Sequence, residues 1–179
     1  MVDPRDSRVR RAEYAVEDDG WIREFLASHP AGVLGTVDGG QPFLTPLLFA
    51  YDENEHAIYV HLSPEGKTTA NVADEDRVAF GVFEMGRILP GETAGSFDNE
   101  YASVTVFGRA ERLADPVEKR HGLECLMAKY APHLEPGDDY RPADAEKVAE
   151  TAVVRVDVKA WSGKRKSRPD ADGYRFDDV

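Results

Sequence analysis

The stretch of this sequence best suited to chemistry is Tyr59-Val60-His61-Leu62-Ser63-Pro64-Glu65-Gly66-Lys67-Thr68-Thr69-Ala70-Asn71. Its first residues read as a strand. Ser63-Pro64-Glu65 then reads as a helix start: a capping hydroxyl, a proline at the first helical position, an acid at the positive end. A helix start offers unpaired amides and partial positive charge, which favour an anion. Gly66 lets backbone approach closely, and Ser63, Lys67 and Thr68 are further donors for a phosphate. The plainer alternative is a capped helix with an exposed lysine. Gly66-Lys67-Thr68 match the end of a nucleotide phosphate loop, but His61 stands where that motif needs its first glycine. Gly86 to Gly91 fails as well, because Glu92 replaces the lysine and would repel phosphate. Nucleotide hydrolysis is therefore not expected. His61 shares a strand face with Tyr59 and can bond a ligand or carry a proton near neutral pH.

Other chemistry-bearing residues are sparser. Pro46 falls inside a strand pattern, where its missing N–H marks an edge or a bulge. The backbone groups of Thr45, Leu47 and Leu48 would then be free for a planar ligand, unless the kink serves only a barrel corner. His121 and Cys125 lie one helical turn apart, a spacing compatible with zinc. His133 is only a loop candidate for a further ligand, so no metal site is assigned. No base is paired with Cys125 in the sequence, and no Gly-x-Ser-x-Gly elbow occurs.

The elements that must position these residues follow from periodicity and turn signals. Asp18 or Asp19 caps a short helix through Ser28, stopped at His29-Pro30. Strands are predicted from Ala31 to Val37, Phe43 to Tyr51 and Ala57 to Leu62, joined at Asp38-Gly39-Gly40 and Asp52-Glu53-Asn54-Glu55. A helix from Ser63 to about Asp74 follows. The strand Arg77 to Glu84 is apolar on both faces, which implies a barrel interior on one side and a helix or second subunit on the other. Gly86 to Asn99 reads as a loop, and Ala102 to Arg112 as the fifth strand. Asp115-Pro116-Val117-Glu118 opens a helix whose stripe is Leu123, Leu126, Met127 and Tyr130. A short helix from Pro142 to Glu150 precedes the sixth strand, Val153 to Trp161. The expected fold is mainly β with inserted helices, a small six-stranded antiparallel barrel. Residues 1–17 form an arm, 18–166 the domain and 167–179 a tail.

Composition narrows the classes. The chain has 179 residues, 41% of them hydrophobic, enough for one core without disulfide staples. One cysteine excludes an internal disulfide. No apolar run approaches the roughly 20 residues of a membrane helix, and Met1 to Asp6 lacks a signal-peptide core. A cytoplasmic protein with no membrane partner is expected. The net charge of −12 argues against nucleic acid. An acidic, lysine-poor surface also suits a halophilic setting, where salt screens self-repulsion.

The order of several short motifs resembles one family. These are Gly32-Val33-Leu34-Gly35-Thr36-Val37, Pro42-Phe43-Leu44-Thr45-Pro46-Leu47, Ile58-Tyr59-Val60-His61 and Gly66-Lys67. Ser103 to Glu111, Lys129-Tyr130-Ala131-Pro132 and Ser162-Gly163-Lys164 complete the set. Over about residues 13 to 166 the chain resembles the pyridoxamine 5′-phosphate oxidase-like flavoproteins, in particular the nitroimidazole-resistance branch. The resemblance implies a split barrel that binds FMN at a homodimer interface. It places the FMN phosphate on His61, Ser63, Gly66, Lys67 and Asn71, the flavin ring along Thr45, Pro46, Leu47 and Leu48, and a further cofactor contact at Val60. Ser103, Trp161 and Lys164 are further cofactor contacts under the same resemblance, and His61 is the catalytic candidate. Gly66-Lys67 stands where the vitamin B6 oxidases have Arg-Lys, and no basic cluster suits a second phosphate. The expected activity is thus a flavin reductase or nitroreductase on a small organic acceptor. Non-catalytic binding of flavin, F420 or haem on the same barrel is the alternative.

Overall fold

The structure is a computed structural model that describes residues 8–178. The first seven residues of the predicted arm, with the segment read for a signal peptide, lie outside the described residues, as does Val179.

Eight strands form one antiparallel sheet in the order β3-β2-β6-β7-β8-β5-β4, with the short β1 (Ala15–Val16) paired to β8. The others are β2 (Gly32–Asp38), β3 (Gln41–Leu47), β4 (Ala50–Asp52), β5 (Ala57–Leu62), β6 (Arg77–Leu89), β7 (Asp98–Arg112) and β8 (Ala152–Lys166). The expected fold class holds, with eight strands in place of six. The predicted second strand divides into β3 and β4 around Leu48-Phe49, and β1 comes from the predicted arm. The predicted loop at 86–99 shrinks to residues 90–97: β6 runs on to Leu89 and β7 begins at Asp98, with a register shift between Met85 and Ile88 absorbing the glycine. β8 likewise extends past Trp161 to Lys166.

The hairpin between β2 and β3 follows from its turn. Asp38 pairs with Gln41, so only Gly39 and Gly40 lie between, and both have positive φ (55° and 90°). A two-residue hairpin turn of this hand needs residues without a Cβ penalty at both positions. β3 is an edge strand, which accommodates Pro42 and Pro46, since neither needs to donate outward.

β3 and β4 are the two ends of the sheet, yet only Leu48 and Phe49 separate them. The sheet must therefore curl until its ends nearly meet, which makes the barrel. Its interior holds Leu34, Phe49, Ile58, Val60, Phe80, Val106 and Val154, each fully buried. Helix α1 (Asp19–Ser28), capped by Asp18, adds Ile22, Phe25 and Leu26 to this core. Helix α2 (Lys67–Asp74) adds Val72.

Helix α3 (Pro116–Tyr130), capped by Asp115, lies on the outside of β5 and β8. Its buried face is Lys119, Gly122 and Leu126; of the predicted stripe Leu126 is buried and Leu123 packs partly against the sheet, while Met127 stays exposed. The reason is close approach: a Cβ on Gly122 would lie 2.8 Å from the Tyr59 ring and 2.9 Å from a Val153 methyl. Lys119 reaches the last turn of α4 (Ala145–Glu150), donating to the carbonyls of Val148 and Ala149 at 3.3 and 3.0 Å. Such a cation satisfies carbonyls that the helix leaves unpaired. The predicted tail folds back: Tyr174 pairs with Ile88, and Arg87 donates to the carbonyls of Arg168 and Ala171.

At the barrel split, Phe49 is buried beyond the ends of both flanking strands. The phenol of Tyr130 supplies its partners, accepting from the Phe49 N–H at 3.0 Å and lying 2.9 Å from its carbonyl and 2.7 Å from that of Pro30. Burial raises the Tyr130 phenol above its ordinary pKa, so it keeps its proton. Tyr130→Phe should destabilise the chain by about 1–3 kcal/mol, the usual cost of stranding a buried polar group. Urea unfolding measures this, and an unchanged midpoint would show that solvent takes over the bonds.

Lys129 lies beside it, its ammonium 3.6 Å from the Phe49 ring centroid and donating to Leu26 O at 3.1 Å. Burial nonetheless lowers its pKa to about 8. A lysine that titrates lower folded than unfolded leaves the unfolded chain holding more protons in the window between. Stability on this account rises with pH between about 8 and about 10.5. Lys129→Met should flatten that rise relative to wild type, as read by urea unfolding across the same range.

Candidate functional site

The strand-to-helix corner begins where β5 ends. Ser63 does not cap α2. The segment 63–66 forms a turn in which Gly66 N–H donates to Ser63 O at 3.0 Å, and the helix starts at Lys67 with Gly66 as its cap residue. No side chain caps that helix start, whereas Asp18, Asp115 and Asp144 cap the other three. Its amides remain available to an anion. Lys67 stands in this first turn, half exposed, and pairs with Asp38 at 2.6 Å. Thr68 shares a 2.6 Å hydrogen bond with Thr45 of β3, which joins the corner to the edge strand. Thr69 donates to Ser63 O at 2.8 Å and fixes the turn.

A second surface is the outer face of the sheet. Antiparallel partners share a face, so Pro46, Val33, Gly81, Thr105 and Ser162 form one row, and Phe83, Ser103 and Lys164 another. Leu44, Gly35, Ala79 and Phe107 form a third. A Cβ on Gly81 would meet no atom within 4 Å. Phe83 and Leu44 are about two thirds exposed, and Met85 is exposed beside them. The predicted burial of β6 is met inside the barrel; outside, where a helix or second subunit is expected, no helix of this chain covers Phe83 and Met85 among the described residues. An exposed apolar patch of this kind marks a surface that something else covers.

These two surfaces account for most of the residues singled out in the sequence. Thr45, Ser63, Gly66 and Lys67 gather at the corner, and His61 lies exposed two residues before Ser63. Pro46, Ser103 and Lys164 gather on the outer face. Leu48 is exposed, while Leu47 packs partly against the core. Three residues are placed differently. Val60 is wholly buried inside the barrel, with no side-chain surface to offer a ligand. Asn71 is buried too, its amide donating to Thr36 at 3.0 Å. Trp161 pairs with Val106 and turns inward, its indole N–H donating to Asp19 at 2.8 Å, away from Lys164.

A third cluster was only half visible in the sequence. Asp52, at the end of β4, lies against His121 and Cys125 of α3. Burial raises the Asp52 pKa, but hydrogen bonds from His121 and from the amides of Asn54 and Glu55 outweigh it and hold the carboxyl below its ordinary value. Burial, then the Asp52 charge, pushes the Cys125 thiol up to about 11. Unaided, it is a protonated thiol and a poor nucleophile. Asp52 is 69 residues from His121, so no local spacing could reveal it.

Comparison with known proteins decides the family. The profile of the pyridoxamine 5′-phosphate oxidase family matches residues 18–165. The chain belongs to this family. A candidate 5-nitroimidazole antibiotic resistance protein from Bacteroides thetaiotaomicron is similar at 25% identity and a TM-score of 0.70, over 84% of this chain and 86% of that one. The nitroimidazole-resistance branch is thereby supported. The flavocytochrome Anf3 from Azotobacter vinelandii is similar at 25% identity and a TM-score of 0.80, over 95% and 77%. An FAD- and haem-binding protein from Mycobacterium smegmatis shares the fold at 18% identity and a TM-score of 0.77, over 92% and 78%. Among curated proteins none matches the sequence. No helix among the described residues is long and apolar enough to cross a membrane.

Proposed function

We propose that this chain is an FMN-dependent oxidoreductase that reduces a small organic acceptor, working as a homodimer with the flavin between subunits. The observation that carries this reading is the bare outer face of the sheet, joined through the Thr45–Thr68 bond to an uncapped helix start. The residues suit the cofactor. Gly35, Ala79 and Gly81 make a low bed for a flat ring, and nothing stands over Gly81. Pro46, Ser103 and Lys164 border it. The apolar side chains of Leu44, Phe83 and Met85 suit burial by a second copy. Family membership and the flavin-binding neighbours point the same way.

The phosphate is the demanding part, because it brings about two negative charges to a chain of net −12. The start of α2 and Lys67 would hold it. Lys67 would have to leave Asp38. An exposed ion pair is worth about 0–1 kcal/mol, and a charged hydrogen bond to phosphate about 1.5–3 kcal/mol, so the exchange favours phosphate. When bound, FMN supplies the hydride or electron transfer. The chain's own part is to orient the ring, exclude water through the second subunit and hold a proton near the acceptor, a role suited to exposed His61.

The first test is the absorption spectrum of the purified protein with FMN added. Bands near ~450 nm on the protein support the reading. A Soret band, which the flavocytochrome neighbour makes the second reading, or no FMN binding at micromolar levels, would overturn it. Lys67→Ala should weaken FMN binding by roughly 1.5–3 kcal/mol. Asp38→Asn should strengthen it, by at most about 1 kcal/mol; equal affinity in both variants would exclude this corner as the phosphate site. His61→Ala should lower turnover by roughly 10²–10⁴-fold with FMN affinity unchanged, if the imidazole delivers the proton.

A further inference from the structure

We propose that Asp52, His121 and Cys125 form a binding site for a zinc-class dication, separate from the flavin surfaces. The three ligand atoms converge on one point. His121 Nε2 lies 2.7 Å from Asp52 Oδ2 and 3.6 Å from Cys125 Sγ, and Sγ lies 3.8 Å from the same Oδ2. Metal–nitrogen and metal–oxygen bonds of about 2.0 Å and a metal–sulfur bond of about 2.3 Å set the edges of a tetrahedral site. Those edges are about 3.3 Å from nitrogen to oxygen and about 3.5 Å from either to sulfur. The sulfur edges, 3.6 and 3.8 Å, lie within about 0.3 Å of this length. Only the carboxylate, drawn in by its hydrogen bond to the imidazole, must withdraw by about 0.6 Å.

The same geometry argues against a cysteine–histidine–aspartate relay. A relay uses the two ring nitrogens for different partners, one for the nucleophile and one for the carboxylate. Here a single nitrogen, Nε2, faces both. Convergence on one nitrogen suits a shared ion instead.

Each ligand is held by something other than the site. Asp52 uses its other oxygen, Oδ1, to accept from the amides of Asn54 at 2.9 Å and Glu55 at 3.4 Å, which leaves Oδ2 for the cluster. The His121 ring meets Tyr59 edge-on at 5.4 Å between centroids. The close seat of Gly122 on Tyr59 and Val153 sets the height of α3 over the sheet. Cys125 packs against the small cluster of Ala57, Tyr59, Leu113 and Val153. A site on such fixed elements loses little freedom when an ion enters.

One thiolate, one imidazole and one carboxylate match the borderline-soft dications, zinc and cobalt(II), better than calcium or magnesium, which take oxygen ligands. On binding, the thiol proton passes to solvent as the metal–sulfur bond forms, and His121 carries its proton on Nδ1. The two negative charges of thiolate and carboxylate then balance the ion. No fourth side chain joins the cluster among the described residues. It borders an open cleft between α3 and the turn after β4, so a water or an added ligand would complete the coordination, as in zinc sites that keep an open position.

The test is cobalt(II) titration of the whole chain after chelator treatment, read by the thiolate-to-cobalt charge-transfer absorption. One equivalent should bring up the band, and zinc should abolish it by displacement. Cys125→Ser should remove the band. Asp52→Asn, which keeps the Oδ1 acceptor for the turn, and His121→Ala, at an exposed position, should each weaken cobalt binding at least about tenfold. Circular dichroism checks that each variant folds. Absence of the band at excess cobalt would overturn the site, as would a band that survives Cys125→Ser or an affinity untouched by both other substitutions. FMN plays no part in this readout, so the result stands apart from the flavin reading.

Discussion

The barrel depends on how its split is sealed. Two residues join the opposite edges of the sheet, and the second, Phe49, is buried where neither strand ladder reaches it. A backbone amide and carbonyl in that position need partners inside the protein. Tyr130 provides them from the last turn of α3, on a helix that begins at Pro116 and otherwise packs against β5. The phenol also lies by Pro30, at the entry to β2. One hydroxyl thus ties the helix, the split and the first long strand together, and the curl of the sheet is fixed there.

Curling has a consequence for the surface. Once the barrel is full of Leu34, Phe80, Val106 and Val154, the opposite faces of the same strands must look outward. Leu44, Phe83 and Met85 are apolar there, and Gly35 and Gly81 leave the sheet flat between them. Such a face is costly to leave in water. It lies on the β3 edge, where prolines prevent further strand pairing, so the surface favours a flat ligand or a second subunit over edge-to-edge aggregation. The start of α2 lies next to it through Thr45 and Thr68. An apolar bed beside an anion-favouring corner is what a phosphorylated ring cofactor requires.

Helix α3 carries a second duty along its length. Its C-terminal end seals the split, while its middle brings His121 and Cys125 over the turn that follows β4. Both depend on the same close seat at Gly122, because a larger residue would lift the helix from Tyr59 and Val153. The barrel seal and the Asp52 cluster are therefore mechanically linked, although their chemistry is separate.

The sequence alone determined what local physics controls. Asp38-Gly39-Gly40 specified the hairpin because positive φ at two successive positions leaves few other residues. Asp18 and Asp115 specified helix starts because a carboxylate satisfies amides that a helix leaves open. The motif order from Gly32 to Lys164 specified the family and with it the barrel. Pro46 marked an edge because a missing donor is intolerable in a central strand. Tertiary structure decided what depends on distant partners. It turned Trp161 toward Asp19 and buried Val60 and Asn71, since a strand pattern does not say which face becomes the barrel interior. It moved the start of α2 from Ser63 to Lys67, because the Ser63 carbonyl is better used by Gly66 and Thr69. It paired Lys67, at the start of α2, with Asp38 beside the hairpin turn. It brought Asp52 to His121 and Cys125 across the chain, because only the folding of α3 onto β5 makes those residues neighbours.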